Sequence, residues 1–147
     1  MAKYGSSSVA IYVASSGGTT YNVTSYVDTI GGQKITSITE PTHTFGDSWE
    51  EATPVGLSRG EPFDIEGHYD DTATSGPHAL FSAVDRGTTD STRSVIVGLG
   101  GSKFFSMTAR LTGYETIATN GKLTRYRASF LPTGTVAWTT STSGVPA

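Results

Sequence analysis

Three carboxylates and one histidine occupy alternate positions of a single short segment, and these side chains are the best placed for chemistry in the sequence. They are Asp64, Glu66, His68 and Asp70. The positions between them hold Phe63, Ile65, Gly67 and Tyr69, and this two-residue period predicts a strand over residues 61–69 with one buried face. A row of carboxylates and imidazole suggests a cation site or an acid–base pair. Neighbours on a flat strand face stand about 7 Å apart and do not converge, so a solvated acidic sheet face is the favoured interpretation.

The sequence lacks other catalytic and cofactor-binding motifs. The three histidines fall on three different predicted elements, and none has a carboxylate or second histidine at a metal-binding helical spacing. There is no cysteine and no Gly-x-Ser-x-Gly nucleophile elbow. The run Gly98-Leu99-Gly100-Gly101 lacks the Lys-Ser/Thr ending of a phosphate-binding loop. The sequence therefore predicts a protein that is not an enzyme and that binds no cofactor and no metal.

The composition favours β-structure and disfavours nucleic-acid binding. The chain has 147 residues, of which 35% are hydrophobic and 16% charged, while 24 Thr, 18 Ser and 18 Gly make it poor in helix formers. The net charge of −3 divides unevenly, with −7 over residues 1–73 and +4 over residues 74–147. The two halves either fold against each other or lie on opposite flanks, where copies would meet head to tail.

The elements predicted from this pattern form one domain over residues 1–147 with flexible ends at 1–7 and 141–147. About seven strands are predicted, the clearest being 9–14, 61–69, 93–99, 103–114 and 122–131. A hairpin turn is predicted at Asn120-Gly121, a further turn at Pro132-Thr133-Gly134, and a bulge or kink near Pro41. A helix is predicted at about 77–86, with an apolar stripe of Ala79, Leu80, Ala83 and Val84 and with Phe81 at its edge. The fold class is mainly β, a sandwich or barrel with one short flanking helix. No secretion leader and no membrane-length apolar run are seen, which predicts a soluble protein that stays where it is made.

An acidic segment over residues 46–60 has the character of a long loop that carries exposed apolar side chains. Long loops in compact domains are usually functional or disordered, and an apolar ring on a charged loop is a plausible anchor for a partner. The alternative is that its tryptophan folds back onto the protein's own core. The candidate contact residues of this loop are Asp47, Trp49, Glu50, Glu51, Val55, Leu57 and Arg59.

Several short motifs, in order along residues 22–138, together resemble the major tail protein, or tail tube protein, of long-tailed bacteriophages. They are Thr24-Ser25-Tyr26-Val27-Asp28-Thr29-Ile30, Glu40 with Phe45-Gly46-Asp47-Ser48-Trp49-Glu50-Glu51, Gly56-Leu57, Ile65-Glu66-Gly67-His68-Tyr69-Asp70-Asp71, Gly76-Pro77-His78-Ala79-Leu80 and Ala128-Ser129-Phe130-Leu131-Pro132-Thr133-Gly134-Thr135-Val136. The resemblance implies the same mainly β fold with one flanking helix.

The resemblance also implies self-assembly into hexameric rings that stack into a hollow tube for DNA ejection. The partners would be further copies of the chain and the tape measure, tip and terminator proteins. DNA would pass without specific binding, with no membrane involved, and the virion tail would assemble in the host cytoplasm. The loop from Asp47 to Arg59 matches the family's ring-stacking loop, and the row from Asp64 to Asp70 is a candidate lumen lining, although Arg125 and Arg127 could lie there too.

Three other functions remain open on the sequence. Another virion structural protein, such as a capsid decoration or head–tail joining protein, would share the composition but would not form stacked rings. A carbohydrate-binding module would present several aligned exposed aromatic rings on a flat face. A small hydrolase would use Asp64, Glu66 and His68.

Overall fold

The computed structural model describes residues 3, 5, 9–15, 18–82, 92–101 and 103–140, and β-strands dominate this part of the chain. The elements are β1 (Ala10–Ala14), β2 (Thr20–Asn22), β3 (Thr29–Ile30), β4 (Ile35–Thr42), β5 (Glu51–Gly60), β6 (Phe63–His68), α1 (Pro77–Ser82), β7 (Thr92–Gly100), β8 (Lys103–Ile117) and β9 (Arg125–Thr139). A 3-10 turn covers Thr24–Tyr26. None of the helices in these described ranges is long and apolar enough to span a bilayer. Apart from Lys3 and Gly5, the ends predicted to be flexible lie outside the described residues.

Seven strands form one antiparallel sheet that curls into a half-barrel. The strand order is β2-β1-β7-β8-β9-β6-β3, and β4 pairs with β5 in a separate two-stranded sheet. The mainly β fold class with one short helix is therefore confirmed. The concave side is filled by strand residues that the two-residue periods placed inward, together with Val23 and two helix residues, Leu80 and Phe81. The fully buried ones are Ile11, Val13, Val23, Phe63, Ile65, Leu80, Phe81, Val95, Val97, Phe105, Met107, Ala109, Leu111, Tyr126, Ala128 and Phe130.

The β8–β9 hairpin is the longest element pair, with 15 residues in each strand. Its connection contains a turn in which the Lys122 N–H donates to the Thr119 carbonyl at 3.1 Å, and Gly121 takes a φ of +80° that suits glycine. The predicted Asn120-Gly121 turn is thus confirmed. Two irregularities in the β8–β9 register, one around Met107 and one at Thr112, bend the hairpin and help to curl the sheet.

A turn predicted at Pro132-Thr133-Gly134 is wrong, because β9 runs without interruption from Arg125 to Thr139. The glycine instead serves a bulge: residues 134–136 stand opposite the single residue Met107, and Gly134 has a φ of +70°. Pairing with β8 on both sides of this bulge keeps the strand continuous.

The helix begins at Pro77, as predicted, and closes the open side of the half-barrel. Leu80 and Phe81 are both buried, and the Phe81 ring meets the Phe130 ring edge-on at 5.8 Å. The placement of Phe81 at the edge of the apolar stripe is wrong, since it is among the most buried side chains of the core. The predicted continuation of the helix to residue 86, including Ala83 and Val84, lies outside the described residues.

The segment at residues 46–60 is only partly a loop. Residues 51–60 form β5, which pairs with β4, and the connecting loop spans residues 43–50. The strand was missed because every β5 side chain before Gly60 is exposed, so no alternation of apolar and polar positions marks it. The kink predicted near Pro41 occurs instead between Ser37 and Thr39, where the β4–β5 register shifts.

Candidate assembly surfaces

The β4–β5 hairpin, residues 35–60, forms a sheet of its own that meets the half-barrel at β9, and we call it the arm. Its apolar side chains are unusually accessible: Trp49 keeps 85% of its surface exposed and Leu57 keeps 62%, while Phe45 is fully exposed. The tryptophan therefore does not fold back onto the core. Large aromatic groups left in water are typical of surfaces that become buried in an interface.

The arm carries exposed apolar side chains at two positions along its length. Val55 and Leu57 lie in a bulge, since residues 55–57 stand opposite the single residue Ile38, and Gly56 provides the required positive φ of +81°. Phe45 and Trp49 lie further out, in the loop of residues 43–50, which we call the tip.

The tip is an ordered turn. The Thr44 N–H donates to the Asp47 carboxylate at 2.6 Å, and the Asp47 N–H donates to the Thr44 carbonyl at 3.1 Å. Asp47, one of the predicted contact residues, thus shapes the turn. Glu50 ends the tip and Glu51 begins β5, and both are exposed. The two exposed aromatic rings of the tip therefore lie beside an excess of negative charge.

The base of the arm is fixed to β9 by a close backbone approach. A side chain at Gly60 would place its Cβ 2.7 Å from the Pro132 Cβ and 2.8 Å from a Val136 methyl carbon, so only glycine fits. The Glu61 N–H also donates to the Lys34 carbonyl at 2.8 Å and ties the two arm strands together. Arg59, another predicted contact residue, pairs with Glu61 at 3.3 Å and belongs to this base rather than to the tip.

The predicted acidic row lies on the outer face of β6, opposite the core, but it is interleaved with arginines. Antiparallel pairing sets Glu66 opposite Arg127, and Arg127 opposite Glu115 on β8. The Arg127 guanidinium bonds to the Glu66 carboxylate at 2.5 Å and to the Glu115 carboxylate at 2.9 Å. Both contacts raise the pKa of Arg127, with the hydrogen bond that Arg127 donates to Glu66 contributing most.

A second ion pair lies beside the first. Arg125 bonds to both carboxylate oxygens of Asp28 at 2.8 Å, and His68 stands opposite Arg125 in the strand register. The hydrogen bond from Arg125 holds the pKa of the Asp28 carboxyl below its usual value. We call the surface of Asp28, Asp64, Glu66, Glu115, Arg125 and Arg127 the charged face; its four carboxylates outnumber its two guanidinium groups.

The structure does not bring the whole predicted row together. Asp64, Glu66 and His68 share β6, whereas Asp70 lies beyond the strand and closes a turn by accepting the Thr72 N–H at 2.8 Å. That bonding with Thr72 lowers the pKa of Asp70. Within the described ranges, no group of three or more His, Asp or Glu side chains is arranged to hold a metal ion.

Comparisons by sequence give no match, either to a family model or to a curated protein. Solved structures do match, and the chain shares their fold. These structures are tails of phage-like particles and contractile injection systems.

Three matches illustrate this class. One comes from the tail of an empty gene transfer agent particle with C6 symmetry, with a TM-score of 0.71, 10% identity and coverage of 93% of this chain and 99% of the other. Another, from the six-fold symmetrised baseplate of the anti-feeding prophage, has a TM-score of 0.71, 11% identity and coverage of 95% and 97%. A third, from the sheath/tube terminator of the PVC extracellular contractile injection system, has a TM-score of 0.69, 9% identity and coverage of 95% and 98%. The fold implied by the sequence resemblance is thereby confirmed.

Proposed function

We propose that this protein is a tail tube subunit, a structural protein without enzymatic activity that forms hexameric rings and stacks them into a hollow tube. The observation that carries the proposal is the match over nearly the full length of both chains to a component of a tail with C6 symmetry. The accessible aromatic groups of the arm support it, because a monomer gains nothing from leaving them in water.

Two features suit lateral and axial contacts. The outer strands β2 and β3 end the seven-stranded sheet, and pairing with neighbouring copies would satisfy their free backbone groups. The arm supplies the ring-stacking contact, with Trp49, Glu50, Glu51, Val55 and Leu57 as the groups that touch the next ring. Further partners would be the tape measure, tip and terminator proteins of the same virion tail, assembled in the host cytoplasm.

The charged face is our candidate for the lumen lining, through which DNA would pass without specific binding. Excess carboxylates repel phosphate, and the two arginines already bond to carboxylates, so they are poorly placed to grip a passing backbone. The arginines do make this lining less acidic than the row of Asp64, Glu66, His68 and Asp70 alone suggested.

Electron microscopy of the concentrated, purified protein tests the proposal directly. Stacked rings with a central hole would support it. A uniform population of monomers or trimers would instead favour a capsid decoration protein, a head–tail joining protein or a carbohydrate-binding module, and a glycan-binding screen would then test the last of these. The variant Glu50→Lys with Glu51→Lys should shorten or abolish tubes while leaving the melting temperature within a few degrees, because exposed charges contribute little to stability.

A matched control separates the arm from net charge. Asp71 is also exposed but lies outside the arm, so Asp71→Lys adds the same charge per substitution as Glu50→Lys. If Glu50→Lys and Asp71→Lys reduce tube yield equally, charge alone explains the effect and the arm is not the stacking element.

A further inference from the structure

An open groove of about 490 Å³ lies where the β7–β8 turn meets the end of β9. Lys103 and Phe104 form one side, and Trp138, Thr139 and Thr140 form the other. The Trp138 ring packs 4.5 Å from the buried Phe105 ring, yet 53% of its surface stays exposed. The groove therefore offers a firmly held aromatic surface beside an exposed ammonium group.

Lys103 is available for an intermolecular contact, whereas three of the arginines are not. Arg59, Arg125 and Arg127 each bond to a carboxylate of the same chain. Across the described ranges, Lys103 has no such partner.

The arm tip has the complementary chemistry. It presents two exposed aromatic rings, Phe45 and Trp49, next to the carboxylates of Glu50 and Glu51. The groove is positively charged and the tip region is negatively charged, so the two surfaces attract each other at long range. Both also carry aromatic rings, which would bury apolar surface on contact.

We propose that the groove around Lys103 and Trp138 receives the arm tip of another copy of this chain. The proposal rests on the proposed self-assembly and names the receiving surface for the arm. The tip and the groove are different patches, so the contact is head to tail: each copy gives a tip and accepts one, and the contact propagates through rings or filaments.

Another exposed pair of basic and apolar side chains, Lys122 and Leu123, fits the tip less well. The Tyr69 N–H donates to the Thr124 carbonyl, which brings Asp70 and Asp71 to that end of the half-barrel. These acids would repel an acidic tip, so Lys122 serves as the control position.

Charge exchange tests the contact. Lys103→Glu alone, or Glu50→Lys with Glu51→Lys alone, should raise the protein concentration needed for assembly by about tenfold or more. A one-to-one mixture of the two variants should recover most of the wild-type assembly, because every contact can then join unlike copies with opposite charges. No recovery in the mixture would overturn the proposal.

Cross-linking tests it without requiring tubes, and the natural chain contains no cysteine to interfere. Glu50→Cys and Lys103→Cys chains, mixed at high concentration with a short bis-maleimide, should give a covalent dimer in clear excess over the control mixture of Glu50→Cys and Lys122→Cys. Equal yields would overturn the proposal. Wild-type tubes combined with equal yields would reject the groove and keep the proposed function, whereas a wild-type chain that never forms tubes would reject the function itself.

Discussion

Replacing Gly67 with alanine should destabilise the protein severely through a single close contact. Gly67 lies in β6 beneath the 3-10 turn, and a Cβ at this position would stand 1.9 Å from the Tyr26 carbonyl oxygen. That oxygen also accepts a hydrogen bond of 2.9 Å from the hydroxyl of Tyr126, which is 1% exposed. The carbonyl must therefore move by about 1 Å or more to reach an ordinary contact distance, and this movement breaks the hydrogen bond.

The expected magnitude follows from these two costs. Leaving the buried Tyr126 hydroxyl unpaired costs about 1–3 kcal/mol, and overpacking the backbone adds about 1–3 kcal/mol. The free energy of unfolding should fall by about 2–6 kcal/mol, a large part of the 5–15 kcal/mol that is typical of a domain.

Urea denaturation followed by circular dichroism, at concentrations below the onset of assembly, measures this change. Gly113→Ala in β8 is the matched control, because its Cβ would meet nothing nearer than the Ser129 Cβ at 3.9 Å. Tyr126→Phe isolates the hydrogen bond and should cost about 1–3 kcal/mol. A Gly67→Ala protein within 0.5 kcal/mol or so of the Gly113→Ala protein would refute the reasoning.

Three further predictions concern the helix, the ion pairs and the charged face. Leu80→Ala should cost about 2–5 kcal/mol, because Leu80 is buried under the half-barrel; an unchanged melting temperature would mean that the helix does not pack there. The lowered pKa of Asp28 stabilises the fold above the ordinary value of 3.8, and this contribution is lost as the pH falls through the folded value. Since the pair with Arg125 is exposed, the loss should be about 0.5 kcal/mol or less, and Asp28→Asn should flatten the acid limb of the stability curve. Glu66→Gln with Glu115→Gln releases Arg127 from both carboxylates, so the variant should elute from a DNA column at higher salt than the wild type; identical elution would contradict the proposed screening of this arginine.

The sequence predicted best where one face of a strand is buried. In β6, β8 and β9 the alternation of apolar and polar residues identified both the strands and their inward side chains, because burial imposes a period of two. The missed strand β5 shows the converse, since a solvated hairpin imposes no period on its side chains.

The charges of the candidate site were predicted less completely, for a different reason. The sequence identifies Glu66, Glu115 and Arg127 as charged, but their contact depends on how β6, β9 and β8 pair side by side. Single-sequence patterns do not determine such a register. The receiving groove was missed as well, since Lys103 and Trp138 come together only through the β8–β9 pairing.

The arm has a kinetic consequence for assembly, because its two strands are already paired in a lone chain and its base is fixed by Gly60. A contact element that folded only on docking would lose about 1–2 kcal/mol of backbone freedom for every residue that it ordered. The arm avoids most of this loss, so an incoming copy needs only to meet a growing end in the correct orientation. Elongation should therefore proceed at the rate of ordinary protein association, about 10⁵–10⁷ M⁻¹ s⁻¹, and the slow step should be the formation of the first ring.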